Sequence, residues 1–357
     1  MRFEAGKHSN FLLSCLDILP QPYASLDTNR LALAFFCVSG LDVLGDLVRV
    51  DARRVISWVY SLQVLPPAEG GRQLSPERCG GFRGCGFLGA PHSRDGSEST
   101  SEYDGAHLAM TYTALAVLLI LGDDLSGVHT DGLLTLVASL QGADGCFSAY
   151  PGGESDMRFL FCAAAVVAML RGGTIPPDSA IDVELATQYV LASRAYDGGI
   201  GLGPGQESHG GSTYTGLAAL SLMDTLDRLP RPEATVSWCM GRQVRGFQGR
   251  PGKVEDTCYS FWIGASLALL GAPHMLHADA LCSFCSSCQF AMGGIAKHAG
   301  AYPDVLHTYY GLCGLALAGQ PGLQRIDPRL GITARASADR GAACADCDRP
   351  EQGCSLG

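Results

Sequence analysis

The sequence predicts an all-α fold, namely an α–α barrel (toroid) of about six helical hairpins around a central apolar cavity. Three observations predict it. A short glycine-containing element with an aromatic or Ile residue recurs along the chain, a nearly all-apolar helix follows each copy, and a more amphipathic helix lies between copies. Two such helices per repeat are typical of two concentric layers. No convincing alternating strand pattern appears.

The repeated element occurs five times, about 50 residues apart. The copies are Cys79-Gly80-Gly81-Phe82, Asp144-Gly145-Cys146-Phe147, Asp197-Gly198-Gly199-Ile200, Arg245-Gly246-Phe247 and Met292-Gly293-Gly294-Ile295. The apolar helices that follow are predicted to end near Leu121, Leu170, Met223, Leu270 and Ala318. They form the inner layer, so the Ser, Asp and His residues that open them should gather at one rim of the cavity.

The amphipathic helices form the outer layer. Each ends in Gln or its equivalent, at Gln63, Gln141, Arg194, Gln243 and Gln289. From Ile326 onward no periodicity remains. We therefore predict a barrel domain over residues 1–325 and a loosely ordered tail over residues 326–357.

Composition limits the function classes. The chain is 47% hydrophobic and 17% charged, with 46 glycines and a net charge of −10. That balance excludes a generic nucleic-acid binder, and the apolar content excludes disorder. The 15 cysteines are odd in number, no signal peptide is evident, and no apolar run is long enough to span a membrane. These features predict a reduced, cytoplasmic protein.

Three residues at inner-helix starts have metal-ligand chemistry. Asp256 and Cys258 stand two apart, and His307 opens the equivalent helix of the next repeat. A carboxylate, a thiolate and an imidazole leave one position of tetrahedral zinc open, which is the catalytic pattern. The alternative is structural: Asp256 as a helix cap, Cys258 as core and His307 bonded to a neighbour.

Basic residues share the same rim. They are Arg158, His209, Arg250, Lys253 and Lys297. In an acidic chain, bases aimed at one rim predict an anion site, since Arg and Lys suit phosphate oxygens. The alternative is a set of solvated loop charges.

Other cysteines compete as metal ligands. Cys282, Cys285 and Cys288 are spaced by three on a predicted helix, and Cys344 and Cys347 form a CxxC pair. Spacing by three moves around a helix surface, which weakens the first set as a structural zinc site.

Several stretches carry a family resemblance. They are Ser25 to Leu41, Met110 to Thr113, Gly122 to Ser126, Glu207 to Thr213, Asp256 to Trp262, and Gly293 to His307. On these residues the chain resembles, from about Phe11 to Ile332, the β subunits of protein prenyltransferases. Within that family it is most similar to the type I geranylgeranyltransferases. The family's α–α barrel agrees with the repeat pattern.

The resemblance implies an activity: transfer of a geranylgeranyl group from its diphosphate to the cysteine of proteins ending Cys-a-a-X, with X Leu or Phe. It implies that Asp256, Cys258 and His307 bind zinc, which would hold the substrate thiol as thiolate. It places His209, Arg250, Lys253 and Tyr259 around the leaving diphosphate, Trp262 with the isoprenoid, and Arg158 at the peptide–isoprenoid side.

The resemblance also implies a subtype. Farnesyl and Rab-type enzymes have Asp where this chain has Lys297, so Lys297 predicts that magnesium is not required. Ala32 and Leu306 replace large aromatic side chains of the farnesyl enzyme, which leaves room for a fourth isoprene unit. Type I enzymes tend to have Thr at the Ala32 position. The positions that match the peptide site are His107, Ala109, Phe159 and Leu306.

A helical-repeat α subunit is implied as an obligate partner, with an exposed apolar rim as its footprint. Three alternatives stay open. One is a farnesyltransferase-like or Rab-type β subunit, and another is a terpene-cyclase-like enzyme, which would need a cavity aspartate cluster. The third is a non-catalytic toroid that binds a lipid or peptide.

Overall fold

The computed structural model describes residues 3–65, 79–86, 105–173, 175–176 and 179–338. In chain order its α-helices are α1 (Ala5–Asp17), α2 (Arg30–Val43), α3 (Ala52–Ser61), α4 (Leu108–Ile120), α5 (Thr130–Ser139), α6 (Met157–Arg171), α7 (Val183–Ala192), α8 (Gly210–Leu222), α9 (Pro232–Met240), α10 (Cys258–Leu269), α11 (Ala278–Ser287), α12 (Val305–Leu317) and α13 (Ala334–Ala338). Short strands are β1 (Ile295–Ala296), β2 (Pro303–Asp304), β3 (Ile326–Asp327) and β4 (Ile332–Thr333).

The helices form two concentric layers. The even-numbered helices α2 to α12 contact one another in sequence, and α12 contacts α2, so the inner layer is a closed ring. Each odd-numbered helix from α1 to α11 packs on the inner helix that follows it. The predicted all-α toroid of about six hairpins is confirmed.

Burial separates the two layers as the sequence predicts. In α6 all residues from Met157 to Met169 are buried except Arg158, whereas the outer helix α3 buries only Val59. A helix that is apolar on all sides belongs in the interior, and an amphipathic one belongs on the outside. None of the helices in the described ranges is both long and apolar enough to cross a membrane.

The recurring glycine elements are antiparallel turns. The outer helices end two or three residues before the predicted Gln or Arg. That residue forms an isolated bridge with the aromatic or Ile residue of the next element, in the pairs Gln63–Phe82, Gln141–Phe147, Arg194–Ile200, Gln243–Phe247 and Gln289–Ile295. The short strands of the structure and these bridges depart from the strand-free prediction. They are too short to give a period-two signal in the sequence.

The last of these turns closes the ring. Gly293 has φ +107°, and a Cβ built on it would lie 2.1 Å from the Lys7 carbonyl oxygen on α1. His8 of α1 is fully buried there, accepting from the Gly294 N–H at 3.0 Å and bonding Gln289 at 2.9 Å. The first outer helix is thereby joined to the last repeat.

We expect Gly293→Ala to weaken this closure. Any side chain at positive φ is strained, and a Cβ at position 293 would also displace α1. We therefore expect the free energy of unfolding to fall by about 2–4 kcal/mol. Gly300→Ala is the matched control: Gly300 has φ +85° and open space around its Cβ position, so only about 1 kcal/mol is expected. Urea unfolding of the two variants measures the difference. An equal decrease in the free energy of unfolding in both variants would contradict the role of Gly293.

The inner helices begin at one rim. His107, Asp156, His209 and Asp304 are the N-caps of their helices, and each accepts a backbone N–H with its side chain. Asp256 does the same for Cys258 at the start of α10. The predicted gathering of helix-opening polar residues at one rim follows from this shared capping.

The segment predicted as a loose tail is ordered at its start. β3 pairs with β4, α13 follows, and Ile326, Leu330 and Ile332 are buried. The prediction of loose order is therefore wrong for residues 326–338. Three apolar residues are too few to show a period, and the groups they contact lie far away in sequence. Residues 339–357, including Cys344 and Cys347, lie outside the described residues.

Candidate metal and anion site

Asp256, Cys258 and His307 converge at the rim. Their potential ligand atoms all lie within 4.8 Å of one another, and His307 Nε2 is 3.3 Å from Asp256 Oδ1. Asp256 and Cys258 are buried and His307 is half-buried. The structure thus brings together the three residues that the sequence singled out.

Hydrogen bonds between two successive repeats hold the parts of this cluster together. The hairpin β1–β2 precedes α12, and its edge accepts two hydrogen bonds from Thr257: from the N–H to the Lys297 carbonyl at 3.0 Å and from the hydroxyl to the Ala296 carbonyl at 2.9 Å. The loop that carries Asp256 and Cys258 is therefore fixed beside the helix that carries His307.

The donor set fits a zinc ion. Ligand atoms of a tetrahedral site with bonds of 2.0–2.3 Å stand roughly 3.3–3.8 Å apart. The 3.3 Å between His307 Nε2 and Asp256 Oδ1 falls in that range. One carboxylate, one thiol and one imidazole also form the mixed O, S and N set that zinc accepts. With three protein ligands, a fourth position stays open.

The pKa values of Asp256 and Cys258 are shifted by burial and by the closeness of the ionisable groups in this cluster. Burial raises the pKa of the Cys258 thiol well above its usual range, and Asp256 adds to the effect. Burial opposes charge on Asp256, but hydrogen bonds from His307 and Cys258 outweigh it and lower the pKa of the carboxyl. A bound cation would offset the repulsion between thiolate and carboxylate.

Asp304 is a residue whose role the sequence analysis missed. Its Oδ2 lies 2.6 Å from His307 Nδ1, and its Oδ1 accepts the His307 N–H at 2.8 Å. Burial lowers the pKa of His307, but the carboxylates of Asp256 and Asp304 outweigh this and raise it to about 9. A carboxylate behind a histidine fixes the ring and its tautomer. The sequence could have indicated this role, because an Asp three residues before His307 opens the same helix.

Lys297 lies at the edge of the cluster. Its Nζ is 3.4 Å from Asp256 Oδ2, and its side chain is half exposed. Lys297 directly follows β1. The hairpin that fixes the candidate metal site therefore also places this ammonium group beside it.

A second cluster joins the starts of α8 and α10. The Tyr259 hydroxyl lies 2.9 Å from His209 Nε2, and Arg250 Nη1 pairs with Glu207 at 2.6 Å. Burial and then the Arg250 charge lower the pKa of His209, and burial raises that of Tyr259. Lys253 is exposed in the same loop. Apart from the exposed lysine, these groups are held by one another.

Arg158 makes its contacts within its own repeat. It pairs with Asp156 at 2.6 Å and with Glu154 at 3.3 Å, and its guanidinium lies 5.2 Å from the centre of the Phe159 ring. Among the described residues, its ion pairs are with acids of its own repeat rather than with the metal cluster.

The residues matched to a peptide site lie on neighbouring inner helices. The His107 and Phe159 rings are 6.0 Å apart, and Ala109 donates its N–H to His107 Nδ1. Leu306 is half-buried beside His307, on another helix.

The lining below the rim is aromatic. Trp262 contacts both Tyr259 and Tyr310, with ring centres 5.2 and 5.0 Å apart, and Ala32 is half-buried on α2. Ala32 and Trp262 thus belong to the inner layer, as a cavity lining requires.

The competing cysteines form no second cluster in the ranges that the structure covers. Cys285 is buried against the Ser260 hydroxyl at 3.5 Å, and the potential metal-binding group found there is that of Asp256, Cys258 and His307. The adjacent acids Asp123 and Asp124 have structural partners: Asp123 accepts from the Tyr60 hydroxyl at 2.6 Å and from the Leu125 N–H at 2.8 Å, and Asp124 accepts from the Ser126 N–H at 2.8 Å.

Comparison with known proteins gives consistent matches. The prenyltransferase α–α toroid domain matches residues 3–332. The geranylgeranyl transferase type-1 subunit beta of Arabidopsis thaliana is 40% identical over 343 residues, 92% of this chain and 89% of that one. The Dictyostelium discoideum subunit of the same name is 40% identical over 342 residues, 93% and 95% of the two chains. The structure of Candida albicans protein geranylgeranyltransferase-I complexed with GGPP has a similar fold, with a TM-score of 0.78 at 23% identity over 95% of this chain and 98% of that one.

Proposed function

The chain belongs to the prenyltransferase family, and from that premise we propose that it is the catalytic β subunit of a type I protein geranylgeranyltransferase. It would transfer a geranylgeranyl group from geranylgeranyl diphosphate to the cysteine of proteins ending Cys-a-a-X, where X is Leu or Phe. The observation that carries the proposal is the convergence of Asp256, Cys258 and His307 at the rim of an apolar barrel.

We propose zinc as the occupant of that cluster. When bound, zinc supplies the positive charge that keeps a substrate cysteine as the nucleophilic thiolate at neutral pH. The chain's own part is to hold the three ligands, with Asp304 orienting His307 and the hairpin β1–β2 fixing the loop that carries Cys258.

The leaving diphosphate is assigned to the neighbouring basic groups. His209, Arg250, Lys253 and Tyr259 can donate hydrogen bonds to phosphate oxygens, and the charge that grows on the leaving group would be met by donors already in place. Glu207 holds Arg250 until an anion competes for it. Lys297 supplies a further positive charge, so magnesium should not be required.

The apolar lining is assigned to the isoprenoid and the peptide. Trp262 offers an aromatic face, and Ala32 leaves space where a larger side chain would shorten the cavity. His107, Ala109, Phe159 and Leu306 would contact the peptide end. Since Arg158 is neutralised by Asp156 and Glu154, its part is confined to the outer mouth of that site.

A partner α subunit fits the rim. Exposed apolar side chains follow the turns there, namely Tyr150, Leu202, Val254 and Tyr302. Such residues are typical of a surface covered by another protein. We propose an obligate heterodimer in which the α subunit covers this rim; a cytoplasmic location stays a prediction.

The proposal is tested by expressing the chain with a prenyltransferase α subunit. Geranylgeranyl and farnesyl diphosphate are each offered with peptides ending Cys-a-a-Leu and Cys-a-a-Ser, without magnesium. We expect the highest kcat/KM for geranylgeranyl with the Leu peptide. A preference for farnesyl would favour the farnesyltransferase-like alternative. Tight diphosphate binding without transfer would favour the non-catalytic toroid.

A further inference from the structure

The first repeat, all of it within the described residues, lacks the glycine turn that the other five repeats carry. In those repeats the turn joins an outer helix to an inner helix, and its aromatic or Ile residue is fully buried, namely Phe82, Phe147, Ile200, Phe247 and Ile295. Between α1 and α2 the chain instead forms a 3₁₀ helix over Gln21–Asn29, which buries none of its residues. Its Tyr23 hydroxyl accepts the Val305 N–H at 3.1 Å, whereas the equivalent N–H of each other inner helix donates to a backbone carbonyl of the next turn.

A cavity of about 250 Å³ lies where this turn is missing. It is lined by the second half of α1, the first turn of α2 and the first half of α3. Half-buried apolar side chains form much of its wall, namely Leu13, Leu16, Leu33, Val55 and Trp58. The cavity is therefore a gap in the seam between the first two outer helices.

Trp58 occupies the position that a glycine turn covers in other repeats. It follows the N-cap of its helix by the same number of residues as Trp238 and Phe284 follow theirs. A Cβ built on Gly199 would lie 2.7 Å from Trp238, and one on Gly246 would lie 2.2 Å from Phe284. Trp238 and Phe284 are 5% and 3% exposed, whereas Trp58 is only half-buried. Among the described residues, no turn covers Trp58.

Arg54 gives the gap a positive charge. Arg30, Arg49 and Arg54 are exposed residues of the lining. Arg30 and Arg49 pair with aspartates of their own repeat, whereas Arg54 has no ion-pair partner in the part of the chain that the structure describes. The lining also holds Asp17 and Asp51, and Asp51 caps α3 by accepting the Arg54 N–H at 3.1 Å. An anionic group at the gap would therefore find an unpaired guanidinium.

The third glycine turn shows which chemistry fits beside such a tryptophan. It begins at Asp197, whose carboxylate accepts the Trp238 indole N–H at 3.0 Å and the Gly199 N–H at 3.1 Å. It ends at Ile200, whose side chain is fully buried. Trp58 offers the same indole N–H, which has no hydrogen-bond partner among the described residues. A turn with an acid three residues before a bulky apolar residue could thus satisfy the indole and fill the cavity.

We propose that this gap is a docking site for an Asp-Gly-Gly-Ile or Asp-Gly-Gly-Phe turn of another protein, a partner outside the proposed heterodimer. The carboxylate would accept the Trp58 indole N–H and pair with Arg54, which lies on the same face of α3 because the two are four residues apart. The Ile or Phe side chain would enter the cavity. The site shares no residue with the metal and anion site, so the inference stands apart from the proposed function.

Peptide binding to the full-length heterodimer tests the docking site. The probe is a fluorescent peptide with the sequence of residues 195–202, which contains the third glycine turn, and a second peptide has Asn in place of its Asp. Fluorescence anisotropy gives the dissociation constants. We expect the Asn peptide to bind about 10-fold more weakly, because it loses an interaction with a charged group.

Arg54→Glu should weaken binding of the Asp peptide by about 10-fold or more, while prenyl transfer stays at the wild-type rate and shows that the variant is folded. Arg53→Glu is the matched control, because Arg53 is an exposed neighbour on α3 that does not line the cavity. It should bind the peptide as wild type does. Equal affinities of Arg54→Glu and wild type would contradict the inference.

Trp58→Phe separates recognition of the acid from apolar packing. It keeps an aromatic ring but removes the indole N–H, so the difference in affinity between the Asp and Asn peptides should shrink. A difference as large as in wild type would refute the pairing with Trp58. No binding by the wild-type heterodimer would overturn the docking site altogether, and this result also follows if the α subunit or another part of this chain fills the gap.

Discussion

Cys258→Ala is expected to abolish zinc binding and prenyl transfer while prenyl diphosphate still binds. The thiol is one of three candidate ligands whose atoms lie within 4.8 Å of one another, whereas the residues proposed to bind the diphosphate, His209, Arg250 and Tyr259, make their contacts without it. Loss of partners behind metal ligands already costs about 10–100-fold in affinity or activity, so loss of a ligand itself should exceed 100-fold in kcat/KM. Metal analysis and transfer assays on the heterodimer measure both.

Cys239→Ala is the control for this variant. Cys239 is fully buried on the outer helix α9 and does not belong to the group of Asp256, Cys258 and His307, so the same truncation is made in the core without touching that group. It should lower stability but keep zinc and transfer. If zinc-free Cys258→Ala prenylated a Cys-a-a-Leu peptide at the normal rate, the proposed metal mechanism would be wrong.

Lys297→Asp is expected to make transfer depend on magnesium. The ammonium lies 3.4 Å from Asp256 at the edge of the candidate metal site, and the proposed function gives it the role of offsetting diphosphate charge. Removing one such preorganised donor costs about 100–1000-fold in kcat, and a carboxylate in its place can recruit Mg²⁺ to restore part of that loss. A magnesium titration of kcat measures the effect.

Lys297→Ala separates loss of charge from gain of a metal ligand. It should lose a similar factor at zero magnesium and recover little when magnesium is added. Activity of Lys297→Asp that stays flat across the titration would contradict the role given to Lys297.

Much of the fold could be predicted because each repeat carries its own signal. The glycine elements, the apolar helices and the capping residues are local, and the same pattern occurs about every 50 residues. The candidate metal site could be predicted from the same repeat pattern, because Asp256 and His307 occupy equivalent places in successive repeats. Composition alone would not have distinguished Cys258 from the other buried thiols.

Other features depend on contacts distant in sequence. The hairpin after Ile326 is fixed by Tyr112, 218 residues before Leu330, and by Asp42, 291 residues before Thr333. No local pattern reports such pairs, so this segment looked like a loose tail. The pairing of Arg250 with Glu207, 43 residues away, was hidden for the same reason.

The most direct test of the central claim is metal removal from the wild-type heterodimer. Zinc is quantified, removed with a chelator and restored, and single-turnover transfer to a Cys-a-a-Leu peptide is followed at zero magnesium. Asp256, Cys258 and His307 predict one zinc per β subunit, loss of transfer with the metal and recovery with zinc alone. Full-rate transfer by the metal-free heterodimer would contradict the account.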